Sequence, residues 1–139
     1  MSTISEAVRE RVRQRAGDRC EYCLSPQVLV MGRLQVDHVL PLAKGGSNAE
    51  DNLCLACELC NQYKWTKTEA ADPQTDETVP LFNPRNQAWH EHFAWSEDGV
   101  EVLGTSVCGR ATIVALRLNN PLAKAVRRNW VKARWHPPG

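Results

Sequence analysis

No stretch of this sequence approaches the ~20 consecutive apolar residues that a membrane-spanning helix needs. The opening residues, MSTISEAVRERVRQ, are charged from Glu6 onward and hold no apolar run, so they read without a secretory signal. A cytoplasmic location is therefore expected, with no membrane partner. Repeats and low-complexity tracts are also missing, so nothing marks a repeat array. Charge of one sign is not in excess: 17 Lys and Arg against 16 Asp and Glu leave +1, and bulk charge names no class of partner. What is present is ordinary for a soluble protein. The 139 residues are 42% hydrophobic and 24% charged, which suits one compact domain, or one small domain with an extension.

The distribution of charge is more telling than its sum. Arginines 9, 11, 13, 15 and 19 outnumber the acids of the first nineteen residues. The stretch from Thr66 to Val100 is acidic. The last nineteen residues carry Lys124, Arg127, Arg128, Lys132 and Arg134 with no acid. A basic N-terminal segment and a basic C-terminal helix can flank one binding face, although solvated helix faces look the same.

Periodicity sketches the elements. Ile4, Val8 and Val12 recur every four residues, which predicts a helix from about Ser5 to Ala16, with Ser2, Thr3 or Ser5 as its N-cap. Gly17-Asp18 ends it. Arg33 to Asp37 alternates as a strand that ends at His38. Pro41 to Asp51 is a loop marked by Gly45-Gly46-Ser47-Asn48, and Asn52 to Leu55 is a short return strand. A helix is expected from Glu58 to about Lys67. Ala70 to Pro80 is acidic and turn-rich and reads as a linker. Glu97-Asp98-Gly99 signals a hairpin between Ala94–Ser96 and Val100–Leu103. A short helix is expected over Gly109 to Leu118, and another opens at Asn120-Pro121, with Leu122, Val126, Trp130 and Ala133 as its apolar stripe.

Six cysteines in a reducing compartment favour metal over disulfides. Cys20-x-x-Cys23 and Cys57-x-x-Cys60 can each form a tight turn that aims two sulfurs at one point, and together they complete a tetrahedral zinc site. Such a site supplies stability that a small core lacks. Cys54-x-x-Cys57 is the alternative register. Cys57 and Cys60 are preferred because Cys54 falls inside the return strand. Cys54 and Cys108 then read as small buried hydrophobes. A redox role for the paired cysteines is disfavoured, since one pair suffices for that chemistry.

Between and beside the cysteines lie Asp37, His38, Asn52, Asn61 and Lys64. Phosphodiester hydrolysis needs a base for water, positive charge on the phosphate and a stabilised leaving oxygen. A histidine titrates near neutrality and can take the proton. A carboxylate and a neutral oxygen ligand can hold a hard divalent cation, and a lysine adds positive charge. The segments Asp37 to Asn48, Asp51-Asn52-Leu53 and Cys57 to Lys64 resemble the HNH endonuclease motif in its cysteine-bearing form. The resemblance covers roughly residues 20–65.

That resemblance implies an α+β fold: a small ββα-metal nuclease core with a structural four-cysteine zinc site, an N-terminal helix and a mixed hairpin and helix C-terminal extension. Residues 1–70 would form the core, and 71–139 would pack on it. His38 matches the general base, and Asp37 a ligand of the catalytic metal. Asn52 matches the residue that orders the long loop and helps orient the base. Asn61 stands where a third histidine often stands, and still offers an oxygen. A further histidine ligand of colicin-type members would fall near Trp65, which cannot ligate. Both departures favour Mg²⁺ or Mn²⁺ as the catalytic cofactor beside structural Zn²⁺. Lys64 matches a position that is often basic and suggests a phosphate contact.

Outside the motif, His90 and His92 read as partly exposed members of an aromatic core segment. Phe82-Asn83-Pro84-Arg85 can return the chain toward the site. Arg127 and Arg128, on the C-terminal helix, are candidate phosphate-backbone contacts, which would position nucleic acid without reading sequence. The leading expectation is a cytoplasmic endonuclease acting on DNA, double-stranded in the first instance, with RNA left open. The rivals are a non-catalytic zinc module that binds nucleic acid, and a subunit active only in a complex.

Overall fold

The computed structural model describes residues 3–138 and is a mixed α+β protein of short sheets and five helices. The chain divides into two compact units. One holds the described residues up to Thr68 together with Asn83–Gln87. The other holds Glu69–Phe82 and the described residues from Ala88 onward.

In the first unit, α1 spans Glu6–Arg15. Ser5 is its N-cap and accepts from the Val8 amide at 3.2 Å, which satisfies one orphan donor of the first turn. Ser2, another candidate cap, lies outside the described residues. Val12 is the buried residue of this helix. Its basic residues are largely engaged within the unit. Arg13 pairs with Glu6 and Glu10, Arg11 with Glu50, and Arg15 donates to the carbonyls of Glu50 and Leu53. The N-terminal arginines thus tie α1 to the approach of the return strand.

Strands β1 (Gln35–His38) and β2 (Leu53–Ala56) form an antiparallel pair, with Gln35 opposite Ala56 and His38 opposite Leu53. All four β2 residues are buried. The loop between the strands is stapled at its neck by Asn52. Its Oδ1 accepts from the Leu40 amide at 2.8 Å, and its Nδ2 donates to the carbonyls of Leu40 at 3.0 Å and Ser47 at 2.8 Å. Gly46 is required there, because a Cβ would lie 1.8 Å from the Leu40 carbonyl oxygen. Helix α2 follows over Glu58–Lys64, three residues shorter than its sequence pattern suggests. Trp65, at a positive φ, ends it.

The second unit begins with a correction. Ala70 to Pro80 is not a linker: β3 (Glu69–Ala71) and β4 (Thr78–Pro80) form a hairpin. Asp72, fully buried, organises its turn by accepting from the Gln74 amide and the Thr75 hydroxyl. Arg110 grips the same carboxylate through Nε and Nη2, both at 2.9 Å, and holds its pKa well below the usual carboxylate range. The acidic character of the stretch therefore misled, since its central acid faces inward.

A short helix α3 (Trp89–His92) leads into β5 (Phe93–Trp95), which pairs with β6 (Val102–Gly104) around the expected hairpin turn. Phe82, Trp89 and Phe93 form the buried aromatic core, with edge-on and tilted ring contacts of 5.1–5.2 Å. His92 sits against Phe82 and bonds Ser106 Oγ at 2.7 Å, and His90 is exposed beside Trp89. Helix α4 runs over Val107–Leu116, two residues earlier than its sequence pattern, because Ser106 rather than a later residue caps it. Helix α5 runs over Pro121–Lys132 with Asn120 as N-cap and Pro121 in the first turn.

The buried face of α5 differs from its apolar stripe. Leu122 is 61% exposed, whereas Arg127 is 3% exposed. The Arg127 guanidinium donates to the carbonyls of Val100 and Leu118 and to Asn119 Oδ1, and lies 5.5 Å from the Trp95 ring. It is a core residue of this unit, not a phosphate contact. Arg127→Ala should strip a donor from several buried acceptors and cost about 2–4 kcal/mol in denaturant unfolding. Arg128→Ala, on the exposed side, should stay within about 0.5 kcal/mol of the parent. Equal stabilities for the two variants would contradict this placement.

Candidate metal centre and active site

Cys20, Cys23, Cys57 and Cys60 bring one sulfur each to a common point, all within 4.8 Å of one another. The first pair sits on a turn closed by the Leu24 amide on the Cys20 carbonyl at 2.8 Å. The second pair opens α2. Cys57 is the N-cap, and its Sγ accepts from the Cys60 amide at 3.4 Å. Cys54 lies apart from this group on β2, as the preferred register requires. Its thiol donates to the Tyr22 hydroxyl at 3.6 Å, and burial pushes its pKa up to about 12.

The geometry of the cluster suits a cation, and its thiols perturb one another. Burial raises the Cys20 thiol well above its usual range, and hydrogen bonding to neighbouring sulfurs does the same at Cys60. Cys23 is held well below its usual range by hydrogen bonds from Cys20, Cys57 and Cys60. A divalent ion with four sulfur ligands would take up all the protonation sites, and four sulfurs in a tetrahedral arrangement suit zinc.

The sulfur site is buttressed by Glu21. Its amide donates to the Leu55 carbonyl at 2.8 Å, and its Oε1 accepts from the Leu55 amide at 3.0 Å. Arg85 pairs with Oε2 of the same carboxylate. The chain near Pro84 therefore does return, to the cysteine turn. Arg85 lies in the stretch expected to return, but its pairing with Glu21 was not marked, because the two are far apart along the chain.

The second cluster lies along β1 and α2. Consecutive strand residues project to opposite sides. The Asp37 carboxylate meets α2, and the His38 imidazole meets the loop that follows. Lys64 Nζ lies 3.2 Å from Asp37 Oδ2 and donates to the His38 carbonyl at 2.9 Å. Lys64 is only 2% exposed, so its ammonium faces these groups and not solvent. Asp37 Oδ2 is itself buried and makes no hydrogen bond despite the nearby ammonium. Asn61, one turn before Lys64, donates from Nδ2 to Gln35 Oε1 at 2.6 Å, which leaves its carbonyl oxygen for another partner. Gln35 shares a side of β1 with Asp37. The oxygens of Asp37 and Asn61 thus belong to the same strand–helix contact, and an all-oxygen donor set suits a hard cation.

His38 Nε2 lies 2.7 Å from Asn48 Oδ1. An amide oxygen only accepts, so neutral His38 carries its proton on Nε2 and its lone pair on Nδ1. Asn48 is a site residue that the sequence reading did not single out. It stood inside the motif, but only the folded loop shows which side chain reaches the imidazole.

A two-stranded hairpin and a helix, joined to a four-sulfur cluster, define a small metal-site domain of ββα type. Residues 20–67 match the model of the HNH endonuclease family. No curated protein and no solved structure matches the chain.

Cys57→Ser should lose bound zinc and thermal stability together, because it removes one sulfur ligand while the serine hydroxyl can still cap α2. Zinc stoichiometry by atomic emission checks the first effect, and calorimetry the second. Full zinc content in the variant would count against the four-sulfur assignment.

Proposed function

We propose that the protein is a metal-dependent endonuclease that hydrolyses DNA phosphodiester bonds. The observation that carries this reading is the joint presence, within the family match, of a hydrogen-bonded histidine, a carboxylate whose buried Oδ2 faces only the Lys64 ammonium and a nearby amide oxygen. A zinc-binding module without catalysis needs the sulfurs but none of these.

In this reading His38 is the general base. Its Nε2–H is directed to Asn48, and its Nδ1 accepts a proton from the attacking water. Asn52 holds the neck of the loop that carries Asn48, so it positions the base through that loop. Asp37 and Asn61 would hold Mg²⁺ or Mn²⁺, which when bound supplies positive charge to the phosphate and the leaving oxygen. Lys64 neutralises Asp37 and fixes the strand end through the His38 carbonyl, so it is a positioning residue rather than a phosphate ligand. The four cysteines would hold structural Zn²⁺. The substrate is taken as double-stranded DNA in a cytoplasmic setting. One contact favours the non-catalytic alternative: the Lys64 ammonium already compensates Asp37, which a metal would have to share.

Purified protein should nick supercoiled plasmid with Mg²⁺ or Mn²⁺ and not with EDTA. His38→Ala should lower the rate by ~10²-fold or more while zinc content and fold persist. Near-normal cleavage by that variant would refute the assignment of the base. Absence of cleavage by a zinc-loaded wild type would favour the binding module or the missing-partner reading.

Asn48→Asp gives a separate test of the imidazole contact. A carboxylate at this place stabilises the protonated ring, and a base must be unprotonated to work. The acid limb of the rate–pH profile should therefore move to higher pH, with little change in rate at alkaline pH. An unmoved limb would mean that Asn48 does not govern His38.

A further inference from the structure

Trp65 combines two features that do not belong together on stability grounds. It is 76% exposed, so it contributes little to the core. Its backbone is at φ 46° and ψ −116°, a region that side chains with a Cβ rarely adopt. The Lys67 amide bonds the Lys64 carbonyl at 2.8 Å, which makes Trp65 the first central residue of a tight turn. With these dihedrals glycine is the residue favoured at that position. The sequence instead places its largest side chain there, strained and facing solvent.

The location gives the exposure a meaning. Trp65 follows Lys64 directly, and Lys64 contacts both Asp37 and His38. Its close neighbours along the chain are polar: Gln62 and Lys67 are exposed. A surface that docks protein needs a contiguous apolar patch, and the exposed residues next to Trp65 along the chain, Gln62 and Lys67, are polar. An exposed ring two residues from the exposed Lys67 supplies what nucleic acid uses: a π face for a base, with positive charge close by along the chain.

We propose that Trp65 is a stacking platform for an unpaired base of the nucleic-acid strand next to the cleaved phosphate. The proposal rests on the nuclease reading for the site, but the contact itself is a binding property. It implies that the preferred duplex is frayed or otherwise locally unpaired next to the cleaved phosphate.

The test compares His38→Ala, which binds without cutting, with the same protein carrying Trp65→Gly or Trp65→Phe. Binding of a labelled single-stranded oligonucleotide and of its fully paired duplex is followed by anisotropy over a range of salt. The glycine variant should bind the single strand about ten-fold more weakly, with an unchanged salt slope, because stacking releases no counterions. Its duplex affinity should fall much less, and the phenylalanine variant should keep most of the single-strand affinity. Thermal stability of the glycine variant should be equal or higher, since the strain is gone. A merely structural tryptophan would lower stability instead.

Single-strand affinity within two-fold of the parent overturns the proposal and leaves protein docking as the use of this ring. An equal loss on duplex with a flatter salt slope overturns it too. If the wild type fails to cut plasmid but Trp65→Gly still loses single-strand affinity, the nuclease reading fails and the platform stands.

Discussion

The first unit is organised around the convergence of four sulfurs. Cys20 and Cys23 come from the turn after α1, and Cys57 and Cys60 from the start of α2. Because Cys57 is also the helix cap, the place where sulfur meets sulfur fixes where α2 begins. It thereby fixes where Asn61 and Lys64 emerge one and two turns later. A short helix of seven residues could not hold such a register by its own propensity. The Glu21 contacts with β2 then transmit the same anchorage to the hairpin that carries Asp37 and His38. The placement of Asp37 and His38 at the strand end thus depends on a cluster elsewhere in the unit.

Charged side chains in this protein are frequently structural. Lys64, Asp72 and Arg127 are all buried. Asp72 meets a bidentate guanidinium, Arg127 a set of carbonyl and amide oxygens, and Lys64 a carboxylate and a carbonyl. Each satisfies the requirement that a desolvated charge be compensated. Of the basic residues in the C-terminal segment, Arg127 is spent inside its unit, while Arg128, Lys132 and Arg134 stay exposed.

This is also why the sequence was only partly legible. The grouping of the four cysteines, the ββα order and the end of β1 at Asp37-His38 could be read, because close spacing along the chain carries them. Asn120-Pro121 and Glu97-Asp98-Gly99 announced a helix start and a turn by local stereochemistry. Contacts between distant residues had no such signature. Nothing near Arg127 in sequence marks the carbonyls of Val100 and Leu118 that draw it inward, and nothing near Asp72 marks Arg110. The apolar stripe on α5 predicted burial of Leu122 from composition alone, while the long arginine made better use of the inward face. Asn48 lay in plain view, but a loop's sequence does not say which of its side chains reaches back to the strand.

The excursion of Asn83–Gln87 has a consequence for how the gene could be divided. The chain leaves the first unit after Thr68, comes back for five residues and leaves again, so no single cut separates the two units cleanly. A fragment ending at residue 70 would retain every cysteine of the cluster and the whole hairpin and helix. It would also leave the Glu21 carboxylate, 11% exposed between two of those cysteines, without the arginine that neutralises it. The sulfur-bearing turn is therefore completed by residues encoded downstream of the motif it belongs to. During synthesis its counter-charge would arrive only after the β3–β4 hairpin had left the ribosome.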